Sequence, residues 1–149
     1  MILAASALAT SLMSEQENCR VDRSAMLSLD QTSFDQDLAG GWRKLAAVPG
    51  CEAAAADLIR DYRAANSNDA TILTWHEGQV RARAGDSAEA IRLFNASRKK
   101  SDESGWNLYV DASIAFLERN LDGLRAARDQ LASCHGRRIF RREARTDKS

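Results

Sequence analysis

The chain has 149 residues, 44% hydrophobic and 28% charged, an ordinary balance for one globular domain with a core of its own. Abundant alanine, a single proline (Pro49) and the lack of alternating β-branched runs exclude a sheet and leave an all-α chain. Net charge is zero, yet residues 136–149 hold six Arg or Lys against two acidic residues, so the rest of the chain is acidic.

The chain begins MILAASALATSLM, which is uncharged and carries Ala7-Leu8-Ala9 in the small-x-small pattern of a signal-peptidase site. It is shorter than the roughly 20 apolar residues that cross a bilayer. It reads as an export signal, with the polar SEQEN opening a mature chain, or as an apolar N-terminal helix packed on the domain. Residues 1–18 are therefore set apart from a helical domain over 19–135 and a basic tail over 136–149. Export implies a periplasmic or secreted protein, and the second reading a cytoplasmic one.

Cys19 follows that segment and Cys51 opens a helix after Pro49-Gly50. A bridge between them would close a loop of about 30 residues and stabilise by about 3–4 kcal/mol. In a reducing compartment both would remain thiols. Cys134 stands beside His135 without zinc-ligand spacing, so no metal is expected.

Asp22 or Ser24 can cap a first short segment ending at Leu29. Thr32 or Ser33 can cap a helix to about Ala47, with Phe34, Leu38, Trp42 and Leu45 at helical spacing and a bend at Gly40-Gly41. The second helix runs from Cys51 to Ala65, its apolar face made by Ala54, Ala55, Leu58, Ile59 and Tyr62. Asp69 can cap a third, Ala70 to Ala84. Gly85 supplies a left-handed turn, and a fourth, capped by Asp86 or Ser87, reaches about Lys99. Trp106, Val110 and Leu117 mark a fifth helix, Asn120 the next left-handed turn, and Leu121 to Ala132 a sixth.

These elements form three pairs, 33–65, 70–99 and 106–132, in which Ala54, Ala90 and Ala126 recur at equal intervals. In the middle pair Gly78, Gly85, Ala90 and Phe94 stand at the spacing of a tetratricopeptide-type signature, which departs at Arg81, where the pattern wants a large residue near the end of the first helix. Residues 70–132 thus resemble a tetratricopeptide-like repeat, and 33–65 do so by analogy, which implies antiparallel helix pairs stacked as a short right-handed solenoid. The strings TWHEGQVRARAG and WNLYVDASIAFLERN, with GGWRKLA and PGCEAAAADLIRDYR before them, resemble a group of exported bacterial proteins built from such pairs. That likeness implies export and a helical-repeat fold, and carries no catalytic residues. The Arg-rich ending departs from the apolar helical continuation expected there.

Catalytic signatures fail one by one. His76-Glu77 begins like HExxH, but Val80 takes the second histidine position. No phosphate loop, dinucleotide glycine fingerprint or nucleophile elbow occurs. The expected function is a non-catalytic, cofactor-free module of the bacterial cell envelope that binds a protein or peptide. Its groove would be lined by Trp75, His76, Gln79 and Arg83 from the third helix and by Asn107 and Asp111 from the fifth. The same residues also fit plain packing, with Trp75 in the core and His76 satisfied by Asp111 or a carbonyl. The alternative in another class is a small enzyme or enzyme accessory using His76 with an acidic neighbour. Docking of residues 136–149 on nucleic acid or an anionic membrane is a further reading of the tail, beside that of a solvated terminus.

Overall fold

The computed structural model of the chain describes residues 19–66, 71–102 and 104–146, with side chains through residue 133. The expected signal segment, the Asp69 cap and the side chains of Cys134, His135 and residues 136–149 lie outside the described residues. Among those described, all regular structure is helical. The chain divides into two compact units, one ending at Leu93 and one beginning at Phe94.

The first unit opens with α1 (Arg23–Leu27), capped by Asp22, whose Oδ1 accepts from the Ala25 amide at 3.0 Å. The next segment departs from the single bent helix that its apolar spacing predicts. It forms a π-helical turn, Thr32–Gln36, then breaks, then restarts as α2 (Gly41–Ala46). Asp30, not Thr32 or Ser33, caps the turn, its carboxylate accepting from the Ser33 amide and hydroxyl at 3.0 and 2.8 Å. The reason for the break lies at Gly41, whose φ is +49° and where a Cβ would stand 2.0 Å from the Phe34 carbonyl oxygen. Only glycine permits that approach.

The long helices α3 (Glu52–Asn66) and α4 (Thr71–Arg83) pack on one another, and α3 also packs on α1 and α2. Ala55, Leu58, Ile59 and Tyr62 are buried at the i, i+3, i+4, i+7 spacing of one helical face. Phe34 stacks on Tyr62 with ring centroids 3.7 Å apart, and the Tyr62 hydroxyl donates to the Leu29 carbonyl at 2.8 Å. Asn66 Nδ2 donates to the Leu27 carbonyl at 3.2 Å, so α3 holds the segment before it at Leu27, Leu29 and Phe34. Cys19 and Cys51 are joined by a disulfide across a sequence separation of 32 residues, fastening the beginning of this segment to the start of α3.

α4 is buried at Leu73, Thr74, Trp75, Glu77, Gly78 and Val80, more of its circumference than one amphipathic stripe would cover. Its buried carboxylate, Glu77, belongs to a chain of charges running between helices. Arg63 bonds Glu77, Arg81 bonds Asp57 at 2.6 Å, Arg60 joins Asp57 to Asp61, and Arg23 bonds Asp61. Gly85 follows with a φ of +85°, and Asp86 caps α5 (Ser87–Ala96) through the Glu89 amide at 3.2 Å.

In the second unit the Trp106 indole nitrogen donates to the Ser97 carbonyl at 2.8 Å. Asp102 draws the Ser104 and Asn107 amides together at 2.9 and 2.6 Å ahead of α6 (Trp106–Leu117). α6 packs on α7 (Leu121–Thr146). The left-handed residue between them is Arg119, at φ +57°, and not Asn120 as the sequence suggests. Asn120 instead spends its Oδ1 on the Gly123 amide at 2.9 Å, capping α7. The helix expected to stop near Ala132 continues to Thr146 and takes in most of the basic segment. Beyond Gly136 that segment has no glycine or proline, and its arginines favour helix.

Candidate functional site

A compact polar cluster in the first unit surrounds Asp35, which is fully buried. A buried carboxylate is tolerated only when its oxygens are hydrogen-bonded. Here Oδ1 accepts from Trp42 Nε1 at 2.9 Å and from His76 Nδ1 at 2.8 Å. Arg43 Nη1 lies 3.3 Å from the same oxygen and also donates to the Asp35 carbonyl. Gln36 Nε2 donates to Oδ2 at 2.6 Å.

Each donor is delivered by a local feature of the chain. The π-helical turn points Asp35 inward next to Phe34, and the Gly41 approach brings α2 close enough for Trp42 and Arg43 to reach it. His76 comes from the middle of α4, 41 positions away in sequence. The Arg43 guanidinium lies over the Trp42 ring at 4.2 Å, and the Trp42 and His76 rings are 5.5 Å apart.

Burial pushes the Asp35 carboxyl upward, but hydrogen bonds from His76 and Trp42, with the charges of His76 and Arg43, outweigh it and hold the group below its ordinary value. Glu77, one residue from His76, shows the opposite balance. Its burial prevails over the bond from Arg63 and raises its carboxyl above the ordinary value. A carboxylate can only accept, so the proton of this contact sits on His76 Nδ1. Asp35 is therefore the orienting partner of a histidine, an arrangement able to fasten two elements or to present a base.

The residues expected to line a groove are placed as follows. Trp75 is 3% exposed and belongs to the packed interior, so it offers no open platform. His76 has Asp35 as its polar partner, not Asp111. Arg83 donates to the Ala46 carbonyl at 2.9 Å and lies 3.6 Å from Glu52, closing the end of α2. Gln79 is half-buried on the same helix. Asn107 bridges the Lys99 amide and carbonyl, both at 2.9 Å, and Asp111 pairs with Arg98 at 2.5 Å. The His76 and Asp111 sides of the expected groove thus belong to different units, each with its own partners.

What the sequence reading missed is Asp35, Trp42 and Arg43. The available signal was an acid beside Phe34 on an otherwise apolar helical spacing, a buried-carboxylate warning.

A different surface stands out in the second unit. Tyr109 and Phe116 lie seven residues apart on α6 and are 46% and 68% exposed, and Leu121 at the start of α7 is also exposed. Among the described residues no cluster of side chains is suited to hold a metal, and no helix is long and apolar enough to cross a membrane. Compared with family models, curated proteins and solved structures, the chain shows no match to any of them.

Proposed function

We propose that this chain is a non-catalytic helical-repeat module of the bacterial cell envelope that binds a protein or peptide partner. The observation that carries the reading is the exposed pair Tyr109 and Phe116 on one side of α6. Aromatic side chains at that spacing supply large contact area at low entropic cost, which is why they anchor interfaces. The Cys19–Cys51 bridge supports an oxidising compartment, since structural disulfides persist outside the cytosol. It agrees with reading the apolar start of the chain as an export signal. In this proposal the helix pairs stack antiparallel as a short tetratricopeptide-like solenoid, with the α6 side as its docking face.

Site-specific photo-crosslinking in a bacterial envelope tests it. A benzophenone side chain at position 116 should give one discrete adduct, while the same group at exposed Ala53 on α3 gives none. Tyr109→Ser should abolish the adduct without changing the fold. Equal labelling from both positions, or none from 116, refutes the docking face.

The second reading is a small enzyme or accessory using His76, favoured by the 2.8 Å bond that orients its ring. It ranks second because Trp42, Arg43 and Gln36 all serve the Asp35 residue itself, and none presents a reacting group to His76. Its test is alanine replacement of His76, which would cost an enzyme orders of magnitude in turnover.

A further inference from the structure

A cavity of about 350 Å³ opens in the first unit between the segment following Cys19 and one side of α2. Its walls are Val21, Met26, Leu45 and Val48, and its charged margin is formed by Arg20 and Lys44. Both cations are exposed, and among the described residues neither has an ion-pair partner. The acidic residue at the margin, Asp22, has one carboxylate oxygen on the Ala25 amide as the cap of α1. Apolar walls under a margin of two cations and one carboxylate, in a volume within the roughly 300–1,000 Å³ of small-molecule sites, suit a ligand with an apolar body and a single anionic head. The disulfide at Cys19 and the close approach at Gly41 hold the two sides of the cavity.

We propose that this cavity is a binding site for a small anionic amphiphile, specifically a medium-chain fatty carboxylate. Its chain lies against Val21, Met26, Leu45 and Val48, and its carboxylate is shared between the Arg20 guanidinium and the Lys44 ammonium. The site lies entirely in the first unit and does not depend on the α6 docking face.

NMR titration of the full chain with decanoate, below its micelle concentration, provides the test. Saturable shifts should concentrate in residues 20–26 and 41–48, with cross-peaks between decanoate methylenes and the Val21, Met26 and Val48 methyl groups. Decanol and decyltrimethylammonium should bind about tenfold more weakly or less, because they lack the negative head. The double variant Arg20→Gln/Lys44→Gln changes only exposed side chains and should weaken decanoate about tenfold while leaving decanol unaffected. Equal affinity for decanoate and decanol, no saturable shift, or shifts centred on Tyr109 and Phe116 would overturn the proposal. So would cavity cross-peaks to residues 1–13 or to a second copy of the chain that decanoate fails to displace.

Discussion

His76 Nδ1 lies 2.8 Å from Asp35 Oδ1, joining the middle of α4 to a π-helical turn 41 positions earlier. The same carboxylate takes the Trp42 indole, so one buried oxygen ties α4, α2 and the turn together. The irregular segment needs this fastening because a π-helical turn followed by a chain break supplies little regular hydrogen bonding of its own.

Gly41 is the backbone condition for that arrangement. A side chain there would meet the Phe34 carbonyl at 2.0 Å while φ stays at +49°, so neither strain nor contact can be relieved without moving the turn. Gly41→Ala should lower stability by on the order of 4 kcal/mol. Urea denaturation monitored by circular dichroism would measure it, and a loss under about 1 kcal/mol would contradict the close approach.

Gly85 gives the contrasting case. Its φ is +85°, but nothing lies within 4 Å of the place a Cβ would take, so substitution meets only the conformational penalty. Gly85→Ala should cost about 1 kcal/mol, and Gly85→Asn less. Stabilisation by alanine would contradict the left-handed turn.

Much of the regular structure was legible because it rests on local signals: the apolar spacing of Ala55 to Tyr62, the turn glycine Gly85 and the Asp86 cap each declare themselves within a few residues. The segment from Thr32 to Ala46 was not, because its shape is set by a backbone contact between Gly41 and Phe34 and by His76 from a distant helix. Apolar spacing alone reads that stretch as one bent helix. Likewise Asn120 suits a left-handed turn in isolation, and only its bond to Gly123 reveals it as a cap. For the site, His76 and the need for an acidic neighbour were readable, but Asp35 is too far away in sequence to be chosen over Asp111.

The disulfide fixes the chain before α1 to the start of α3. Closing a loop across a separation of 32 residues should contribute about 3–4 kcal/mol on the chain-entropy account. Dithiothreitol should lower the denaturation midpoint of the wild type accordingly and leave a Cys19→Ser/Cys51→Ala variant unmoved. A midpoint insensitive to reductant in the wild type would show that the bridge contributes nothing.

Asp35 and Glu77 should leave opposite marks on the pH profile. The Asp35 carboxyl is held below its ordinary 3.8, so its contribution is present above the unfolded value and is lost as pH falls through the folded one. Asp35→Asn should therefore flatten the fall in melting temperature below about pH 4 while lowering it at pH 7. The Glu77 carboxyl is raised above 4.5, so its contribution is present at low pH and is lost as pH rises through the folded value. Relative to wild type, Glu77→Gln should gain stability as pH climbs from about 4 toward 7. Parallel profiles for both variants and the wild type would contradict these assignments.

The most direct test of the account is a double-mutant cycle between Asp35 and His76, read as unfolding free energy at pH 7. If His76 is a fastener of the fold, Asp35→Asn and His76→Gln should each destabilise by about 2 kcal/mol or more, with a coupling of about 1–3 kcal/mol between them. Additive effects, with His76→Gln melting like the wild type, would contradict it and would return His76 to the reading in which its ring is held for chemistry.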